Sequence, residues 1–217
     1  MGDEDVCRRT KITIVYGWGE NDASYTVKTS HKLGQKVEKC PYHVRWLSMI
    51  ERGYSLNKKS KEPSTLLSSV NEEWKRFTSF KEWMETQIWE DCVLDKDILI
   101  PGNKEYSSKA CAFVPSYVNL VLHTKAPVTS KLPLGVARYS VNTYGARISR
   151  GRRYLGSYKS PEAAHKAWQE AKADTIEATI LDYMLHPSYR QDVANALYLR
   201  AERLRLDAEQ GRQTLSL

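Results

Sequence analysis

Between residues 135 and 158 the chain falls into three short strand-like runs, Gly135–Ser140, Tyr144–Ser149 and Arg153–Tyr158. Asn142 and Gly151 occupy the gaps where turns belong. Directly afterwards the period changes. Ser160-Pro161-Glu162 supplies an N-cap hydroxyl, a proline suited to the first helical position and an acid in the first turn. Strands this short bury an apolar face only against another element. The pattern therefore predicts an α+β fold in which a three-stranded antiparallel sheet packs on a helix. That helix is expected to run to about Leu185, with Ala164, Trp168, Ala171 and Leu181 on one face, until His186-Pro187 breaks it. Residues 188–210 read as a second amphipathic helix carrying Val193, Leu197 and Leu204. Such a helix packs on its predecessor or pairs with a second copy of the chain as a homodimer.

The first half is less regular. Ile12, Ile14 and Tyr16 alternate as one buried face of a strand would, and Tyr25-Thr26-Val27 reads as the return strand. Pro41 opens a helix with Val44, Leu47 and Ile50 as its apolar stripe, ended by Gly53. Residues 55–65 are polar and interrupted by proline, hence a loop. Trp74, Phe77, Phe80, Trp83 and Met84 recur at helical spacing and are read as core, with Trp89 closing that layer. Residues 93–99 read as a strand bearing two carboxylates, and Pro101-Gly102-Asn103 as a turn. Two prolines among small and polar residues place the main boundary at 123–133, between an N-terminal module (1–122) and a C-terminal domain (134–217).

Composition excludes several classes. At 41% hydrophobic over 217 residues, the chain has the apolar material for a core. No run approaches the ~20 apolar residues of a membrane span. The opening MGDEDVCRRT has no apolar stretch behind it, so a cytoplasmic protein is expected. Four cysteines are too few for a disulfide scaffold, and the spacing of Cys40, His43, Cys92 and Cys111 matches no regular zinc site, so zinc is not expected. The net charge of +7 is concentrated: residues 106–161 hold nine Lys or Arg and no Asp or Glu. An acid-free basic segment of this length points to a polyanionic partner.

Gly135-Val136, the aromatic-x-Ala-Arg run Tyr144–Arg147, Leu155-Gly156-x-Tyr158 and Ser160-Pro161-Glu162-Ala163-Ala164 leading to Trp168 together cover about residues 132–175. This segment resembles the Apetala or ethylene-response-factor type of DNA-binding domain. The resemblance implies that the sheet lies in the major groove of double-stranded DNA with the helix behind it. The residues support this independently, because arginine forks match guanine edges and phosphate oxygens two bonds at a time. Arg138, Arg147 and Arg153 are the candidates on the strands, Tyr139 and Tyr144 add flat surfaces, and Arg150, Arg152 and Lys159 near the turns suit phosphates. Phosphate contacts do not separate DNA from RNA, so structured RNA is the alternative ligand.

The stretch Leu94-Asp95-Lys96-Asp97-Ile98, with Gly102-Asn103 and then Asn119, resembles the HNH motif of phage endonucleases, and the whole chain is similar to phage proteins of the homing-endonuclease kind. The resemblance implies a divergent ββα core and metal-dependent phosphodiester cleavage. Lys96 stands where that motif has its histidine base. An ammonium with a pKa of ~10.4 does not accept a proton near neutrality. The catalytic expectation therefore falls on Asp95, Asp97 and Asn103 as oxygen ligands for Mg²⁺, beside Lys96. The competing expectation is a phage protein that binds DNA or a host partner through the same basic surface without cutting.

Overall fold

Gly135 adopts a φ of +75°, and a Cβ there would lie 1.9 Å from the Trp168 ring, so only glycine lets the first strand of the sheet descend onto the helix. A computed structural model of the chain describes residues 12–28, 39–61, 65–124, 132–148 and 153–217. They form two compact units, Met1–Ile88 with Gly102–Cys111, and Trp89–Pro101 with Ala112–Leu217. The expected linker at 123–133 falls largely outside the described residues.

In the first unit, strands β1 (Thr13–Val15) and β2 (Gly19–Asn21) form an antiparallel hairpin. Tyr16 and Gly17 both have positive φ, as a tight hairpin turn of matching twist requires. The return strand is thus β2, in place of the expected 25–27. The expected inward face is also reversed: Ile14 is 56% exposed. Gly19 explains this, since its backbone lies against Trp46 and Ile50 and so turns Val15 and Gly19 inward. Helix α1 (Pro41–Tyr54) buries Trp46, Met49, Ile50 and Gly53, while Val44 is exposed, so the stripe runs one residue out of phase with the expected one. Residues 56–61 form a short helix, α2 (Leu56–Lys61), where a loop was expected, because Ser55 Oγ accepts the amide of Lys58.

Strand β3 (Ser69–Val70), a single 3₁₀ turn at Glu72–Trp74 and helix α3 (Phe77–Glu85) follow. Phe77, Phe80, Met84 and Trp74 are buried, as the aromatic spacing predicts. Trp46 Nε1 donates to the Trp74 carbonyl at 2.9 Å, so the indole is buried without stranding its donor. Strand β5 (Glu105–Tyr106) pairs in parallel with β3.

The second unit starts with β4 (Cys92–Asp95), antiparallel to β6 (Ala112–Pro115), which runs into helix α4 (Ser116–Val121). The strand expected to reach residue 99 stops at Asp95, whose carboxylate turns the chain. The sheet β7 (Val136–Ser140), β8 (Thr143–Ile148) and β9 (Arg153–Tyr158) is antiparallel throughout and packs on α5 (Pro161–Tyr183), followed by α6 (Gln191–Glu209). Ser160 Oγ accepts the Ala163 amide at 3.1 Å, as its position before proline predicts. Ala164, Trp168, Ala171, Val193, Leu197 and Leu204 are buried as expected, whereas Leu181 is 67% exposed. The Lys172 ammonium, buried on α5, donates to the Val121 carbonyl at the end of α4.

His165 links distant segments of this unit. Its Nδ1 meets the Leu134 carbonyl at 2.9 Å, its Nε2 accepts the Thr214 amide at 3.1 Å, and its ring stacks on Trp168. Burial holds its pKa below the ordinary histidine value, consistent with a neutral ring that donates once and accepts once. Cys92 and Cys111 are buried thiols and Cys40 is a half-buried one. Among the described residues no helix is long and apolar enough to cross a membrane.

Gly135→Ala is expected to destabilise the protein by about 3 kcal/mol or more, since it combines overpacking against a buried indole with a φ that alanine rarely adopts. Urea denaturation of both proteins measures the loss.

Candidate nucleic-acid interface and the Asp95 loop

The sheet has one face on α5 and one in solvent. Val136, Ala146 and Ile148 point to the helix and are buried. On the other face Arg147 stands opposite Tyr154 in the β8–β9 register. Its guanidinium lies 5.6 Å from the Tyr139 ring centre and 5.8 Å from that of Tyr154, and the two rings are 6.3 Å apart. A Cβ at Gly145 would come within 2.4 Å of the Tyr139 ring, so the ring lies over this glycine. Tyr154 is fixed in turn by a 2.5 Å hydrogen bond between its hydroxyl and Ser157 Oγ. Arg147 is thus flanked by two anchored rings, each attracting a cation to its π-face. A side chain ordered in advance avoids roughly 0.5–1.5 kcal/mol of entropy loss on binding.

The other expected binding residues are placed differently from one another. Tyr139 shares the outer face with Arg147. Tyr144 is half-buried against the core and adds no exposed surface there. Arg138 folds back on its own hairpin, with Nε and Nη2 donating to the carbonyls of Ser140 and Val141 at 3.1 and 3.0 Å. Arg153 is exposed at the start of β9 opposite Ile148, and Lys159 is exposed just past its end. Arg150 and Arg152 lie outside the described residues. Among the described residues, Arg138, Arg147, Arg153 and Lys159 form no ion pair with a carboxylate. Tyr154 and Gly145 escaped sequence reading, because their role appears only once Arg147 is aligned with Tyr154 across the strands.

Of the residues expected to cut, Asp95, Lys96 and Asp97 occupy a tight loop after β4. Asp95 Oδ1 accepts the amides of Asp97 and Ile98 at 2.9 and 2.7 Å, and Oδ2 accepts from Nδ2 of Asn119 on α4. This is the side-chain turn that ends the strand. Asp95 is buried, and burial, aided by the Asp97 charge, pushes its pKa up to about 6. The Lys96 ammonium lies 3.2 Å from Asp97 Oδ2. From α6, Arg200 Nη2 donates to the Asp97 carbonyl at 2.8 Å. Asn103 sits in the other unit and closes its own turn, donating to the Glu105 carbonyl and accepting the Glu105 amide.

This donor set does not fit a divalent cation. Three donors of the chain already converge on Asp95, and the neighbouring oxygens of Asp97 face an ammonium and a guanidinium. A dication added there meets the positive charges of Lys96 and Arg200, the latter buried. Among the described residues no three His, Cys, Asp or Glu side chains gather as a metal cage.

Because the folded-state pKa of Asp95 lies above its unfolded value, its neutral form stabilises the fold at low pH, and that contribution is lost as pH rises through about 6. Asp95→Asn removes the titration. Relative to this variant, wild type is expected to lose on the order of 2–3 kcal/mol between about pH 4 and pH 6 and little more above that. Denaturation across that range measures the difference.

Comparison with known proteins finds no matching family model, no matching curated protein and no matching solved structure.

Proposed function

We propose that the chain binds double-stranded DNA through the solvent face of the β7–β8–β9 sheet and does so without cutting it. One observation carries the reading: Arg147, held between Tyr139 and Tyr154, presents a guanidinium with no carboxylate partner among the described residues, on a face formed by an acid-free segment. A fork ordered by aromatic rings suits a guanine edge or a phosphate, both of which reward fixed planar geometry. Arg153 and Lys159 at the ends of β9 add charge suited to the flanking phosphates. The resemblance to Apetala-type domains supports a duplex as the ligand. The Asp95 loop supports a reading without cleavage, since its oxygens serve the turn and its lysine side chain lies against Asp97.

Arg147→Ala is expected to weaken binding to a duplex DNA pool roughly 10- to 100-fold, measured by fluorescence anisotropy at fixed salt. Wild-type affinity should fall with salt with a log–log slope of about −4 to −5, as about five phosphate contacts require, and Arg153→Ala should reduce that slope by about one. A slope near zero, or equal competition from duplex RNA, sinks the assignment. Supercoiled plasmid is expected to remain intact with wild type in Mg²⁺ or Mn²⁺. Nicking that Asp95→Asn abolishes would restore the nuclease reading.

A further inference from the structure

Arg200 lies on α6 with its side chain turned inward, 6% exposed. Nη1 donates to the Ala196 carbonyl one turn back, Nη2 donates to the Asp97 carbonyl, both at 2.8 Å, and Nε is buried with no hydrogen-bond partner. Burial opposes its charge, while the carboxylates of Asp97 and Asp95 favour it through space. A buried guanidinium is costly, and an apolar side chain would fill the same space without stranding a donor. What the apolar replacement would lack is a positive charge beside the Asp97 carbonyl and two carboxylates. Those are hard oxygens of the kind Mg²⁺ and Mn²⁺ take.

We propose that the Arg200 guanidinium is the resident cation of the Asp95–Asp97 loop, holding from within the chain the oxygens that would otherwise draw a divalent metal. The loop is then complete without metal, and α6 is tied to the end of β4 by a charged contact spanning 103 positions of sequence. Lys96 supplies the second charge, 3.2 Å from the Asp97 carboxylate. The proposal is independent of the DNA-binding reading.

The test follows Mn²⁺ by electron paramagnetic resonance and thermal unfolding with Mn²⁺ or with EDTA, on the wild-type chain and Arg200→Met. Wild type is expected to unfold at the same temperature in both conditions and to hold no Mn²⁺ that Asp95→Asn releases. Arg200→Met, which keeps the apolar stem and removes the charge, is expected to gain Mn²⁺ affinity by about tenfold or more and to be stabilised by the ion. Adding Asp95→Asn to it should erase the gain. A wild-type Mn²⁺ response that Asp95→Asn removes overturns the proposal, as does a folded Arg200→Met with no gain. Should Arg200→Met fail to fold, Arg200→Gln, which keeps a donor without the charge, is read by the same two outcomes. DNA affinity is expected to be equal in wild type and Arg200→Met, so failure here leaves the sheet reading standing.

Discussion

The contact of Gly135 with Trp168 is the constraint on which the second unit depends. With no Cβ in the way, β7 comes close enough for the indole to press on its backbone, and the sheet is seated at one height and tilt on α5. Trp168 in turn stacks on His165, whose two nitrogens engage the segment before β7 and the tail after α6. Burial of an indole of this size contributes a few kcal/mol. Its larger effect is geometric, because fixing one face of the sheet fixes what the opposite face presents.

That opposite face is built by the same device. Gly145 makes room for the Tyr139 ring as Gly135 makes room for Trp168, one glycine for each side of the sheet. Two arginines of this unit contrast. Arg147 is exposed, flanked by aromatic rings and without a carboxylate partner among the described residues, whereas Arg200 is enclosed and spends its donors on carbonyls. Of the two, Arg147 is the one that solvent reaches. The buried one serves the chain itself.

The C-terminal half was legible because its signals are local. Ser160-Pro161-Glu162 specifies a helix start in three residues, and turn residues separate strands whose observed limits differ from those read in sequence by one residue at most. The first half resisted because non-local contacts overrode pattern. The alternation Ile12, Ile14, Tyr16 reads as a buried face, yet Gly19 decides which side of the hairpin meets α1. Val44 looks like part of a stripe, but the indole of Trp46 finds an acceptor in Trp74 and sets the phase of α1. On the solvent face of the sheet, residue type singles out Arg147 and Tyr139. The inward packing of Tyr144 and the back-folding of Arg138 depend on strand register and a hairpin tip that composition does not encode. The Asp95 loop reads in sequence as the rest of a strand, because the amides of Asp97 and Ile98 that turn the chain onto the Asp95 carboxylate carry no mark in residue type, and its closure by Arg200 from α6 is a contact 103 positions away.

The bonds of His165 also bear on how the chain is made. The imidazole joins Leu134, 31 positions before it, to Thr214, 49 positions after it. A polypeptide emerging from the ribosome contains α5 before Thr214, so the ring waits for its second partner until the whole of α6 has been made. Long-range closures of this kind are slow and late. Until Thr214 arrives, the buried Nε2 of His165 lacks the amide that it accepts, so this end of the unit is completed only after α6 is in place.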